Sequence, residues 1–368
     1  MILSMLAVLR FRTRLPTVPR HTSSPWPHVT ILKPVCGLEK NLRNNLRSAC
    51  LQNYPIFEVI FAVQSTDDPA IPLLKEIARE FDGSHVTVVT ENRQAGANRK
   101  VNNLLGALAH ARHDFLVISD SDVFLKPDYL RTIIPPLVDR RVGYACTLYR
   151  AVGADRWYEK MELLTYNADF IPSVIFAYMT GASSFCLGSS VAFRRDSLKE
   201  LGGLVTLADY LAEDYEMGKR LLGPGKKMAL RPYFVDVVVD LKDLSQWWHH
   251  QVCWDQKTRA AKPLGFFANI VTRSLPFALL FAAFRMGDAS GLAVLSGVLG
   301  LRLVTAAAML KWGLQDKEGL RSLALLPLRD LAALGSWVLA LTKKTVVWRG
   351  SKFTLTSKGR MVWREIPQ

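Results

Sequence analysis

The chain has 368 residues, with 47 Lys and Arg against 32 Asp and Glu for a net charge of +15. That length suits one large domain, or one domain with membrane segments. The five cysteines, an odd number with no C-x-x-C pair, argue against a disulfide framework or a zinc site and fit a reducing cytosol.

The charge is uneven. Residues 1–28 carry four Arg and no acid, and residues 343–368 carry seven Lys or Arg and one acid, Glu365. Basic flanks beside apolar runs are the pattern of cytoplasmic juxtamembrane segments. A nucleic-acid binder would more often carry its basic patch on the folded domain, so no nucleic-acid partner is expected.

In chain order, residues 1–9 (MILSMLAVL) are apolar but too short to span a bilayer. They lack an A-x-A-like cleavage site, so residues 1–27 are read as a short apolar and basic anchor. Residues 28–243 read as an α/β domain. Val29–Leu32, Glu58–Gln64, Val86–Thr90, Phe115–Ser119 and Val142–Leu148 are short apolar runs. Helix-length segments at 69–81, 98–111 and 127–138 lie between most of them. Alternation of this kind predicts a mostly parallel sheet with helices on both faces. Ligands of such sheets bind beyond the carboxyl ends of the strands.

Three polar clusters follow strands there: Ser65-Thr66-Asp67-Asp68, Gly96 to Asn103, and Asp120-Ser121-Asp122. Asp120 and Asp122 are spaced to hold a hard divalent cation, Mg²⁺ or Mn²⁺, through oxygen ligands. Turn chemistry and helix capping explain one such cluster equally well; three on one edge predict a site. Glu213-Asp214 starts a predicted helix, where a carboxylate can serve as general base or complement the helix dipole.

Residues 244–262 (from LSQWWHHQVCWDQKTRAA) place Trp247, Gln251, Trp254 and Thr258 on one helical face, the pattern of an amphipathic interfacial helix and equally of an amphipathic core helix; the interfacial helix is the expectation. Apolar windows at 264–284, 291–310 and 323–341 then make 263–342 a membrane region of two or three helices. Arg273, Arg302, Arg329 and Asp330 interrupt these windows, and a central charge costs about 2.5–3.5 kcal/mol on insertion scales. The first window, with Arg273 and Pro276, is expected to re-enter or lie in the interface. Residues 343–368 read as a basic cytoplasmic tail.

The order of motifs resembles the ceramide glucosyltransferase family (glycosyltransferase family 21) and its bacterial relatives, including hopanoid-associated N-acetylglucosaminyltransferases. The resemblance rests on Leu32-Lys33-Pro34, Asp67-Asp68-Pro69, Gly96-x-Asn98-x-Lys100-Val101-x-Asn103, Asp120-Ser121, Gly202-Gly203-Leu204, Ala212-Glu213-Asp214-Tyr215 and Trp348-Arg349-Gly350. It implies a Rossmann-like GT-A fold with C-terminal transmembrane helices, an inverting mechanism and a UDP-sugar donor. The acceptor would be a membrane lipid hydroxyl, on ceramide or a hopanoid, and the hexose glucose or N-acetylglucosamine. An integral protein of the bacterial inner membrane, with its catalytic domain in the cytoplasm, is expected; the oligomeric state is left open.

By the same resemblance Asp68 lies near the nucleotide, Asn98 and Lys100 line the donor site, and Asp120 holds metal and diphosphate with support from Asp122. Asp214 is the catalytic base. The family's (Q/R)-x-x-R-W element aligns with His250 to Trp254, where Trp254 matches but Cys253 replaces Arg. Lys257, one turn on, is the candidate replacement cation. Competing readings are a processive polysaccharide synthase and an inactive membrane scaffold.

Overall fold

The computed structural model describes residues 1–13, 26–81, 85–92, 94–181, 186–343, 345–348, 351–356 and 358–363. Residues 14–25 of the N-terminal anchor, Arg349-Gly350 of the last motif and 364–368 of the tail lie outside the described residues. The chain divides into two compact units, 14–150 with 183–238, and 1–13 with 151–182 and 239–368.

The first unit is built on an eight-stranded sheet. Its strands are β1 (Val29–Pro34), β2 (Phe57–Val63), β3 (Val86–Thr90), β4 (Phe115–Ser119), β5 (Val123–Phe124), β6 (Val142–Val152), β7 (Ser190–Arg194) and β8 (Lys227–Val238), in the order 3-2-1-4-7-6-8-5. The predicted runs form β1 to β4 and β6. Strands β1 to β4 pair in parallel, and β1 is buried along its whole length, as a strand packed on both faces must be. The sheet is less parallel than the alternation suggests. β7 returns antiparallel to β4 and β6, and β5 pairs antiparallel with β8. A parallel neighbour needs a crossover between strand ends, which only the first four strands have.

The parallel register aligns the carboxyl ends. Pro34 lies beside Ala62 and Leu32 beside Ile118, so the turns after β1, β2 and β4 emerge together. The Gly37 N–H donates to both Asp68 carboxylate oxygens at 3.1 and 3.0 Å, tying the first two turns.

The second unit is helical. Ala289–Leu314 and Leu323–Thr342 are long and apolar enough to cross a membrane. Pro263–Thr272 and Ser274–Phe284 form a third apolar pair bent by 51° at Arg273, the residue expected to interrupt that window. The other charges that looked costly in sequence are paired. Arg302 donates to both Asp330 oxygens at 2.8 and 3.1 Å, and Arg329 bridges Asp330 and Asp169 at 2.9 and 2.6 Å. Enclosing the pairs among helices meets the cost that an isolated charge in lipid would carry. Loss of Arg302 leaves the Asp330 carboxylate with Arg329 as its remaining countercharge and removes two charged hydrogen bonds. Arg302→Ala should therefore cost about 1.5–3 kcal/mol, the scale of charged hydrogen bonds, read as a lower thermal midpoint in detergent; an unchanged midpoint would show the pair to be water-exposed.

Leu244–Ala261 is one helix, capped by the Asp243 carboxylate accepting from the Gln246 N–H at 2.7 Å. Trp247, Gln251 and Val252 are buried. The segment read as a tail folds in part into a three-stranded antiparallel sheet, β9 (Thr345–Trp348), β10 (Ser351–Leu355) and β11 (Met361–Trp363). Gln256 on the 244–261 helix holds its start, donating to the Lys343 and Thr345 carbonyls at 2.9 and 3.1 Å.

Candidate active site

All the described site residues of the first unit gather at the carboxyl edge of β1, β2 and β4. Asp120 follows β4 and begins a tight turn in which the Val123 N–H donates back to the Asp120 carbonyl at 3.2 Å. The turn brings Asp120 and Asp122 close together. The Asp122 Oδ1 atom is buried with no hydrogen-bond partner among the described residues. Burial, then the neighbouring carboxylates of Asp120 and Glu39, push the Asp122 carboxyl up to about 7.

Lys100 faces the same turn. Its Nζ lies 2.6 Å from Asp120 Oδ1 and 3.3 Å from Glu213 Oε1. Burial opposes its charge, but Asp120 and Glu213 outweigh that and hold the ammonium above its usual pKa. Lys100 is placed by Asn98, whose side-chain oxygen caps the helix Arg99–His110 by accepting from the Val101 N–H at 3.1 Å. The Asn98 amide donates to the Tyr210 carbonyl at 2.8 Å and to Glu213 at 3.2 Å. Its polar groups are thus engaged in joining the 98–100 turn to the 210–213 segment.

Asp214 is the second residue of the helix Glu213–Leu221, its Oδ1 accepting from the Tyr215 N–H at 2.7 Å. A Cβ at Gly188 would stand 2.7 Å from Asp214 Oδ2, so glycine there leaves room for the carboxylate. Lys100 also reaches the Gly188 carbonyl, at 3.4 Å. Asp120, Lys100, Glu213 and Asp214 therefore form one charged cluster. Asp68 lies along the same edge, where its carboxylate accepts from Gly37 and Ala70 N–H groups.

Trp254 and Lys257 belong to the second unit, on the 244–261 helix. Trp254 packs against Tyr166, Phe170 and His250 at ring separations of 4.7, 5.1 and 5.6 Å. Burial pushes the Cys253 thiol up, and the Lys257 charge offsets part of that.

Three participants escaped the sequence reading of the site: Lys33, Glu39 and the lysine-pairing role of Glu213. For Lys33 a signal existed, a lysine inside an otherwise apolar strand run. Glu39 lies in the turn after β1 and accepts from the Ser121 hydroxyl at 2.6 Å; nothing in its local sequence marks it.

These residues fit a divalent cation. A crowded, half-satisfied carboxylate pair is what a cation relieves, and Mg²⁺-type sites commonly use one or two carboxylates, completed by substrate phosphates and water. Among the described residues no group of three or more His, Cys, Asp or Glu could hold a metal; Asp120 and Asp122 are two carboxylates.

The crowding has a consequence for stability. Folding raises the Asp122 carboxyl from its usual 3.8 to about 7, so the folded state favours the protonated form. The resulting penalty is absent below about pH 4, grows between 4 and 7, and is full above 7. Asp122→Asn should therefore raise the thermal midpoint at pH 8, by roughly 1–2 kcal/mol of stability, and much less at pH 5. Equal midpoints at pH 8 would show that the carboxylate is not crowded.

Residues 1–361 match the profile of glycosyl transferase family 21. The chain belongs to that family. It is a glycosyltransferase, and the sheet described above carries its candidate site. Ceramide glucosyltransferase 1 of Caenorhabditis elegans is 24% identical over 356 residues, covering 91% of this chain and 73% of the relative. A ceramide glucosyltransferase of Pyricularia oryzae is 34% identical over 172 residues, 43% of this chain and 33% of the relative. Among solved structures, the mannosyltransferase PcManGT from Pyrobaculum calidifontis, in complex with GDP-Man and Mn²⁺, aligns over 91% of this chain and 95% of its own at 19% identity and a TM-score of 0.46. TarS 1–349 of S. aureus in complex with UDP-GlcNAc aligns over 92% of this chain and all of its own, at 13% identity and a TM-score of 0.41.

Proposed function

We propose that this glycosyltransferase moves a hexose, glucose or N-acetylglucosamine, from a UDP-sugar to the hydroxyl of a membrane lipid of the ceramide or hopanoid class, with inversion at the anomeric carbon. The observation that carries the reading is the single cluster of Asp120, Asp122, Lys100, Glu213 and Asp214 at the carboxyl edge of the sheet, in a chain of family 21. Asp214 accepts the proton of the acceptor hydroxyl, whose oxygen then attacks the anomeric carbon as the bond to the diphosphate breaks. Lys100 meets the negative charge that gathers on the departing diphosphate. Asp120 and Asp122 would hold a Mg²⁺ or Mn²⁺ ion, which when bound supplies further neutralisation of that diphosphate. The apolar helices of the second unit keep the enzyme at the bilayer, with the catalytic unit in the cytoplasm. The test is turnover of UDP-glucose and UDP-N-acetylglucosamine by purified protein with ceramide and hopanoid acceptors in detergent. A product carrying one sugar supports the reading, and a polymer of sugars overturns it in favour of a processive synthase.

Cys253 favours a second reading, an inactive scaffold, because an Arg there would offer a rigid fork of donors suited to phosphate. In the active reading Lys257 supplies the missing charge. Lys257→Ala should then lower turnover about ten- to a hundredfold, the scale of a charged hydrogen bond, and Cys253→Arg should recover much of it. Silence of both variants removes this helix from the chemistry, and failure of the wild type to bind UDP with Mn²⁺ selects the scaffold.

A further inference from the structure

We propose that Lys33 is a positioning residue for the donor site: its buried ammonium clamps the 119–123 turn and so sets the two carboxylates that meet the diphosphate. The proposal rests on the reading of Asp120 and Asp122 as the donor-binding pair.

Lys33 is fully buried, the fifth residue of a strand buried throughout. An ammonium in such a place must satisfy its three donors within the protein, and this one does. It donates to the Asp120 carbonyl at 2.7 Å, the Val123 carbonyl at 3.0 Å and the Ser119 hydroxyl at 3.2 Å. These acceptors are the last residue of β4 and the first and last residues of the turn. β1 and β4 pair as far as Leu32 and Ile118, so Lys33 stands where the ladder ends and the turn begins. Beyond the turn, Val123 is held by pairing with Val237 on β8. The lysine therefore bridges the two strand ends that the turn connects.

A structural reading alone accounts poorly for this choice. An apolar side chain of similar volume would fill the strand position without the desolvation cost of a buried cation. The same charge stands close to the carboxylates of Asp122 and Asp120. In its absence, the Asp120 carbonyl would keep only its bond from Val123, and Asp122 would lose a buried countercharge. The turn would then be free to splay the two carboxylates, while β1 would keep its pairing with β2 and β4.

The experiment is calorimetric titration of UDP with Mn²⁺ into the purified full chain in detergent. Wild type, Lys33→Met, Lys33→Arg and Ser119→Ala are compared, with thermal midpoints and donor and acceptor KM values alongside. Lys33→Met should weaken UDP binding about ten- to a hundredfold, the scale set by charged hydrogen bonds. It should raise donor KM and leave acceptor KM unchanged. Lys33→Arg should restore part of the affinity, a rescue that mere core filling would not give. Ser119→Ala, which removes one acceptor and keeps the charge, should weaken binding about threefold (roughly one neutral hydrogen bond). Folded Lys33→Met that binds UDP like wild type overturns the inference and leaves the donor reading standing. If Lys33→Met does not fold, unchanged affinity in Ser119→Ala overturns it. Wild type that binds no UDP overturns the donor reading, and the inference with it.

Discussion

Asp214→Asn should lower turnover by about 10²–10⁴, the usual span for loss of a general base, while UDP affinity stays within a few-fold of wild type. The split follows from where Asp214 sits. Its carboxylate is held by the Tyr215 N–H and lies over Gly188, whereas the carboxylates assigned to the diphosphate are on the turn after β4. The cation between them is Lys100, bound to Asp120 and Glu213, so the asparagine variant keeps those ion pairs. Asparagine matches the shape of aspartate but cannot take the acceptor's proton. The decisive measurement is single-turnover transfer with donor saturating, set beside UDP titration of the same preparation. A large fall in UDP affinity with normal turnover at saturation would move Asp214 to the donor side of the reaction.

Asp120→Asn should abolish turnover and weaken UDP binding together, and excess EDTA should do the same reversibly, with activity returning on addition of Mn²⁺ or Mg²⁺. Asp120 has two functions at once, as partner of Lys100 at 2.6 Å and as one of the two carboxylates on the turn. Its loss leaves the Lys100 ammonium leaning on Glu213 and leaves Asp122 as the remaining carboxylate for a cation. The Lys100 charge is then met by one close carboxylate in place of two, and the turn offers a cation one carboxylate in place of two. Undiminished activity in EDTA would sink the metal assignment. In that case Lys100 would be the principal counter-charge to the diphosphate, and Lys100→Ala would become the more damaging variant.

How much of this was legible in the residues can be judged element by element. β1 to β4 were readable because each is a short, nearly unbroken apolar run, and Asp120-Ser121-Asp122 was readable because both carboxylates sit in three consecutive residues. β8 was not readable, since Lys227–Val238 is interrupted by Arg231 and Pro232 and alternates between burial and partial exposure. The 343–368 segment reads as a basic tail from charge alone, yet β9 to β11 bury Val346, Phe353 and Met361. Local pattern also misjudged the charges of the apolar helices. Arg302 and Asp330 are 28 residues apart and look like two separate defects until the fold lays them side by side.

The site divides the same way. By its own residues the chain determined which strand ends carry acids, which helix Asn98 caps, and where spanning helices can begin and end, because those depend on side-chain period, turn chemistry and apolar length. The tertiary structure decided that Asn98 meets Glu213 across 115 residues and that Lys33 meets Val123 across 90. It also decided that Lys100 neutralises Asp120 rather than facing water. Those outcomes depend on charges brought together out of water, where a partner's distance and burial set the energy, and neither is written in the spacing of residues along a chain.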